Sequence, residues 1–246
     1  MKAMILAAGL GTRLRPLTDD RPKALVEVAG QTLLEITLRR LRESGIREVI
    51  VNIHHFPDMI ATYLQKNANF GMHIEISRED ILLDTGGGLK KAAWFFLDQS
   101  NEPFLLHNVD VLSSIDFARM LESHCEHNAL ATLAVQNRET SRYLLFDEND
   151  ELCGRKASRN QPDEIVRSTP HPQPLAFAGL HIISPRLLTL MTEEGVFSII
   201  NVYLRLAAQG EKIRAFHADP YYWRDLGKPE NISRADHDVR QHIFTL

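Results

Sequence analysis

Residues 7–23 read AAGLGTRLRPLTDDRPK. They follow an apolar run, Ala3-Met4-Ile5-Leu6, with the character of a buried strand. The chain leaves that strand through Gly9 and Gly11, and Pro16 and Pro22 then argue against an early helix. Four cationic side chains, Arg13, Arg15, Arg21 and Lys23, lie in the same stretch. Glycines let backbone approach a ligand closely, and consecutive N–H groups form a nest for anions. Arg13 can grip phosphate oxygens in a two-pronged hydrogen bond, while Lys23 can act as a mobile point charge. A dinucleotide fingerprint, GxGxxG, needs a third glycine where Leu14 stands, and a P-loop needs Gly-Lys-Ser/Thr, which is missing. For two glycines and one arginine alone, an ordinary loop with solvated arginines is the competing explanation; the full string is far more restrictive.

Working outward, strands and helices alternate. Glu48–Ile53 (EVIVNI), Met72–Ile76 and Pro103–Asp110 read as strands, and Thr32–Ser44, Pro57–Lys66 and Gly86–Asp98 as helices. Such alternation predicts a parallel sheet covered by helices, with ligands beyond the carboxyl ends of the strands. In the second half, Ala129–Gln136, Tyr143–Phe146, Glu151–Gly154, Leu175–Ile183 and Lys212–His217 read as strands, and Asp116–His127, Arg186–Met191, Ser198–Gln209 and a segment from Pro229 as helices. Residues 155–174 hold four prolines and no periodicity, which predicts a mobile loop or lid. No linker divides the chain, so residues 1–246 are expected to form one α/β domain.

Composition narrows the function. With 44% apolar and 24% charged residues and a net charge of −4, the chain gives no general argument for nucleic acid or an anionic membrane. A phosphate site must be a local concentration of positive charge. Cys125 and Cys153 show neither metal nor disulfide spacing, which fits reduced thiols of a cytoplasmic protein. The first apolar run ends at Ala8 and reads as a strand, not a signal peptide, and no run approaches the ~20 residues of a membrane span. Oligomeric state is not readable here.

The string A-A-G-x-G-T-R-L-x-P-L-T-x-x-x-P-K resembles the signature of the sugar-1-phosphate nucleotidylyltransferases. The resemblance continues through Val28-Ala29-Gly30-Gln31, Asp84-Thr85-Gly86-Gly87-Gly88, a strand ending in Asp110, and Trp223-Arg224-Asp225-Leu226-Gly227. It is greatest toward short bacterial members that use UTP with N-acetylmuramate 1-phosphate, or GTP with mannose 1-phosphate. It implies a three-layer, Rossmann-like fold of the nucleotide-diphospho-sugar transferase type, with a mostly parallel central sheet. The chain has no room for the C-terminal β-helix that longer members carry.

The resemblance also implies roles. Ala7, Ala8, Gly9, Gly11 and Thr12 would meet the nucleotide along the loop, with Arg13 on the β/γ-phosphates and Lys23 near the α-phosphate. Thr85, Gly86 and Gly87 would abut the base, and Asn108, Lys156 and Gly179 would bind the sugar phosphate. Asp110 and Asp225 would hold Mg²⁺, a hard cation that takes a few carboxylates with waters and phosphate oxygens. Taken singly, each aspartate reads equally as a turn or cap residue. The implied partners are an NTP and a sugar 1-phosphate. Three positions depart from the family pattern: Ala24 follows Lys23 where proline is usual, Val109 stands where Asn-Gly-Asp is commoner, and Leu144 where Tyr-Gly is. The last two bear on the sugar. A silent nucleotide sensor and an NAD-binding protein are the other classes considered.

Overall fold

The computed structural model describes residues 1–98, 101–157 and 162–246. Strand β1 (Ala3–Leu6) leads through the glycine loop to a small ladder, β2 (Glu27–Val28) and β3 (Gln31–Thr32). Helix α1 (Leu33–Glu43) begins where the Thr32 hydroxyl accepts the Glu35 N–H, and the chain turns after it at Gly45 with φ +81°. Strand β4 (Glu48–Ile53) and helix α2 (Pro57–Lys66, with proline in its first turn) follow. Next come β5 (His73–Arg78), α3 (Asp84–Lys91), β6 (Phe104–Asn108), β7 (Val111–Ser113) and α4 (Phe117–Glu126). The second half adds β8 (Ala131–Gln136), β9 (Tyr143–Phe146), β10 (Leu152–Arg155), β11 (Glu164–Ile165) and the long β12 (Gln173–Ile183). It finishes with α5 (Arg186–Leu190), α6 (Ile199–Ala208), β13 (Ile213–His217), β14 (Trp223–Asp225) and α7 (Pro229–Arg240).

The main sheet runs β5-β4-β1-β6-β12-β8-β13, and only β12 opposes the other strands of that row. Strands β9, β10 and β11 extend from the first half of β12. Alternate residues of each strand enter different cores. Ala3 and Ile5 join Leu34, Leu38 and Leu41 of α1, whereas Met4 joins Leu89 of α3 and Val202 of α6. A sheet buried on both faces between helices is the three-layer α/β arrangement expected, and it explains the nearly continuous apolar runs of β1, β4 and β6.

Three local expectations are corrected. The helix expected over Gly86–Asp98 starts at Asp84 and ends at Lys91, followed by a 3-10 turn at Ala93–Phe95, so the glycines lie inside it. The strand ending at Asp110 stops at Asn108, and Val111–Ser113 forms a separate ladder with Trp223–Asp225. The lid expected over 155–174 falls partly on residues 158–161, outside the described ones. Around them Glu164–Ile165 pairs with Gly154–Arg155, and β12 already starts at Gln173.

Candidate active site

Leu6, Asn52 and Asn108 stand in register at the carboxyl ends of β1, β4 and β6 and line one cavity of about 380 Å³. Ala7, Ala8, Gly9 and Lys23 also line it. The glycine loop is closed on itself. Gly11 has φ +66°, a Cβ there would come within 2.9 Å of Thr18 Cγ2, and the Thr18 hydroxyl donates to the Gly11 carbonyl at 2.8 Å. This turn sets the 3-10 segment Thr12–Leu14, burying Leu14 and leaving Thr12 and Arg13 exposed.

Lys23 begins a second 3-10 turn, and its ammonium is ion-paired with the Asp110 carboxylate in a half-buried setting. Asp110 and Asp225 are drawn together by the β7–β14 ladder: Val111 pairs with Asp225, and the Leu226 N–H donates to the Asp110 carbonyl at 2.8 Å. Asp225 is held on three sides. Its Oδ1 accepts the Gly227 N–H at 2.6 Å, its carbonyl accepts from Asn231 Nδ2 at 2.7 Å, and neighbouring Arg224 is ion-paired to Asp238 of α7. A Cβ on Gly227 would lie 2.7 Å from both Arg13 Nη2 and Asp225 Oδ1. A side chain there would displace both groups, and Arg13 from the glycine loop reaches the segment that carries Asp225.

Asn52 and Glu79 were not among the expected site residues. Asn52 Oδ1 accepts the Ala7 N–H at 2.8 Å, and its Nδ2 donates to Glu79 Oε1 at 2.7 Å. Glu79 Oε2 accepts the Leu83 N–H at 3.0 Å, just before α3. This buried relay ties the start of the phosphate loop to the helix on the far wall, and its hydrogen bonds are worth more for being shielded from water. A polar residue near the end of EVIVNI was the available signal.

The same relay and the segment after α5 account for the three glycines. A Cβ on Gly86 would meet the Phe197 ring at 2.5 Å, one on Gly87 the Gly195 carbonyl at 2.5 Å, and one on Gly88 both Asn52 and Glu79 at 2.7 Å. The Gly86 and Gly87 N–H groups both point at the Phe197 carbonyl. Each of the three glycines is thus packed closely against protein on the side a Cβ would occupy. Asp84 and Thr85 are the members of that stretch on the cavity wall, and Thr85 Oγ1 also accepts the Ile199 N–H at 3.0 Å.

Gly179, at φ +81°, lies at a break in the β12–β8 register, where a Cβ would strike Val111 at 2.7 Å and Asn108 Nδ2 at 3.0 Å. Lys156 is not on the cleft wall. It lines a second cavity of about 550 Å³, with Leu144 and Phe177. Between the two cavities lies Arg138, also unforeseen. Its guanidinium stacks 3.8 Å from the Trp223 ring centroid and donates to the Phe177 carbonyl at 2.9 Å, while its buried Nε has no partner. Burial pulls its pKa down, and the nearby Asp225 carboxylate opposes that shift.

Two histidines near the end of α4 are tied into the fold. His124 bonds Thr132 and Ser184, and His127 bonds the Ser123 carbonyl. Among the described residues no group of three or more His, Cys, Asp or Glu could hold a metal unaided. Cys125 is exposed and Cys153 buried, both as free thiols, and among the described residues no helix is long and apolar enough to cross a membrane.

A glycine loop at the carboxyl edge of a three-layer sheet, with Asp110 on the cleft wall and Asp225 tied to the Asp110 segment by the β7–β14 ladder, is the frame of an enzyme that handles nucleotides. The chain belongs to the nucleotidyl transferase family, whose model matches residues 2–153. The resemblance to sugar-1-phosphate nucleotidylyltransferases noted at residues 7–23 thus holds well beyond that loop. The N-acetylmuramate alpha-1-phosphate uridylyltransferase of Caulobacter vibrioides is 33% identical over 240 residues, covering 93% of this chain and 92% of that protein. The mannose-1-phosphate guanyltransferase of Yarrowia lipolytica is 30% identical over 94% of this chain, which spans 62% of that protein's length. The fold matches HddC from Yersinia pseudotuberculosis, solved in complex with GMP-PN, with a TM-score of 0.75 at 21% identity over 97% of this chain and 99% of that one.

Proposed function

We propose that the enzyme transfers a nucleoside monophosphate from an NTP to a sugar 1-phosphate, with UTP and N-acetylmuramate 1-phosphate as the favoured pair. The observation that carries this is the meeting of Lys23, Asp110, Arg13 and the Asp225 segment at one end of the glycine-loop cleft. The favoured pair follows the Caulobacter relative, which this chain matches over nearly its whole length. GTP with mannose 1-phosphate, as in the name of the Yarrowia relative, is the runner-up.

In this reaction an oxygen of the sugar phosphate attacks the α-phosphorus of the NTP. The bond from that phosphorus to the bridging oxygen breaks, and pyrophosphate leaves. No nucleophilic side chain is needed; alignment and charge stabilisation do the catalysis. The backbone at Ala7–Gly9 receives the phosphates, Lys23 steadies charge at the reacting centre, and Arg13 draws charge toward the leaving pyrophosphate. Asp84 and Thr85 face the base side, and Asn108 and Gly179 the sugar side.

Asp110 and Asp225 fit Mg²⁺. Both offer hard carboxylate oxygens, and too few protein ligands gather to satisfy the ion alone, which leaves room for phosphate oxygens and water. When bound, the ion supplies neutralisation of phosphate charge. Lys23 holds Asp110 when phosphate is absent, so two acidic groups are not left facing an empty cleft.

A pyrophosphate-release screen of four NTPs against several sugar 1-phosphates, with and without a chelator, tests this. UTP with N-acetylmuramate 1-phosphate is expected to give the highest kcat/KM, and the chelator to abolish release. Nucleotide binding without pyrophosphate release under every pairing would mark a silent sensor instead.

A further inference from the structure

Arg138 follows strand β8 and is half-buried where β12 meets β14. The backbone leading to it is pinned first. Gln136 Nε2 donates to the Ala218 carbonyl at 3.0 Å, and the Asn137 N–H donates to Asp219 Oδ1 at 2.7 Å. From that anchor the guanidinium lies over the Trp223 ring and donates to the Phe177 carbonyl. Trp223 is held at its edge as well, because its Nε1–H donates to the Ala178 carbonyl at 2.7 Å. Two successive carbonyls of β12, just before the register break at Gly179, thus engage one arginine and one tryptophan.

A guanidinium withdrawn from water loses hydration that an apolar side chain never had. Among the described residues no carboxylate forms an ion pair with Arg138, and its Nε is buried without a hydrogen-bond partner. Methionine would cover the same ring without either cost. What arginine adds is a rigid planar fork, which lies flat on an aromatic face while its edge donates in the same plane. It also adds positive charge on the side of Asp225, the carboxylate whose field acts on it.

Trp223 opens β14 and Asp225 closes it, so a hold on the first is also a hold on the second. Trp223 pairs with Ser113 as Asp225 pairs with Val111, next to Asp110. Helix α7 braces the far end of this strand through Asn231 and Asp238, and Arg138 braces the near end.

We infer that Arg138 is a positioning residue for nucleotidyl transfer: stacked on Trp223 and bonded to the Phe177 carbonyl, it sets the place of the Asp225 carboxylate beside Asp110 and touches neither substrate. This rests on the role proposed above for the two carboxylates and adds the residue that fixes the second of them.

The test compares wild type with Arg138→Lys, which keeps the charge but not the fork, and Arg138→Met, which keeps apolar cover but not the charge. All three carry Trp94→Phe, which removes the exposed tryptophan and leaves Trp223 as the sole indole emitter. With UTP and N-acetylmuramate 1-phosphate, kcat is expected to fall by about tenfold to a hundredfold in both variants, the effect of a small misplacement at a reacting centre. Both KM values should stay within about threefold of wild type, because ground-state contacts are untouched. Trp223 emission should shift in the ligand-free protein. Mn²⁺ affinity, read by electron paramagnetic resonance with a non-hydrolysable UTP analogue, should fall by about tenfold. Melting temperatures show whether the variants fold, and Arg138→Lys, the smaller change, carries the test if Arg138→Met does not.

Unchanged kcat in a folded variant overturns the inference. So does a raised KM for the sugar 1-phosphate at constant Mn²⁺ affinity, which would make Arg138 a substrate contact. Asp110→Ala and Asp225→Ala separate the two readings. If they turn over like wild type, the carboxylates have no part in the chemistry and the reading beneath this inference fails with it. If they are inactive while the Arg138 variants keep full activity, the positioning role alone fails.

Discussion

In the cleft at the end of the parallel strands, Lys23 is matched by Asp110 and the phosphate loop is pinned by Asn52 and Glu79. In the cavity beside β9 and β10, Arg142 and Lys156 stand exposed with no acidic partner among the described residues. The contrast teaches where each kind of charge belongs. A site that must do the same chemistry at every turnover gains from charges fixed in advance. Charges left unmatched in a concavity stay open to whatever anion enters it.

The most severe way to break the comparison is Asp110→Ala. It removes the partner of Lys23 and a carboxylate proposed for Mg²⁺ together, and kcat is expected to fall by about 10³-fold, with far-UV circular dichroism unchanged. Wild-type turnover would dissociate the carboxylate from the chemistry. Arg13→Ala acts at the exposed rim of the cleft, and a loss of about 10²-fold in kcat/KM is expected, with stability preserved.

Gly86→Ala probes the support of the cleft and leaves the charges alone. A methyl group 2.5 Å from the Phe197 ring must push α3 away, and a stability loss of about 1–3 kcal/mol should appear in urea unfolding. The KM for NTP should rise with it, because Thr85 moves with the helix. Acid titration gives the mildest test. Burial holds His107 near a pKa of about 4 and His181 near about 3, both on adjoining strands beneath the wall between the two cavities. The unfolded chain takes up protons on these rings below pH 6.5 while the folded one does not. Stability is therefore complete above that value and falls as pH drops toward 4, by up to about 1.4 kcal/mol per unit for each histidine. His181→Gln should flatten the slope of unfolding free energy against pH in that window; an unaltered slope would mean that the ring does not titrate there.

Much of the first half was legible because its signals are local. Glu48–Ile53 and Pro57–Lys66 fall where expected, since an apolar run and a proline in a helix's first turn need no distant partner. The loop at residues 7–23 disclosed its cleft for the same reason. What escaped notice depends on long-range contacts. The β7 ladder exists only because Trp223–Asp225 returns to it, Arg138 is given meaning by Trp223 and Phe177, and the glycines of α3 are explained by Phe197 and Asn52. Gly86-Gly87-Gly88 looks the same in sequence whether it admits a ligand or a phenylalanine.

The backbone hydrogen bond from Leu226 to Asp110 has a bearing on biosynthesis. The phosphate loop and Asp110 leave the ribosome well before the segment bearing Asp225, which α7 braces through Asn231 and Asp238. A nascent chain can thus fold its nucleotide cradle well before it owns a complete set of carboxylates. The two carboxylates come together only once the β7–β14 ladder has formed, and a protease that clips α7 would remove the brace on the second of them.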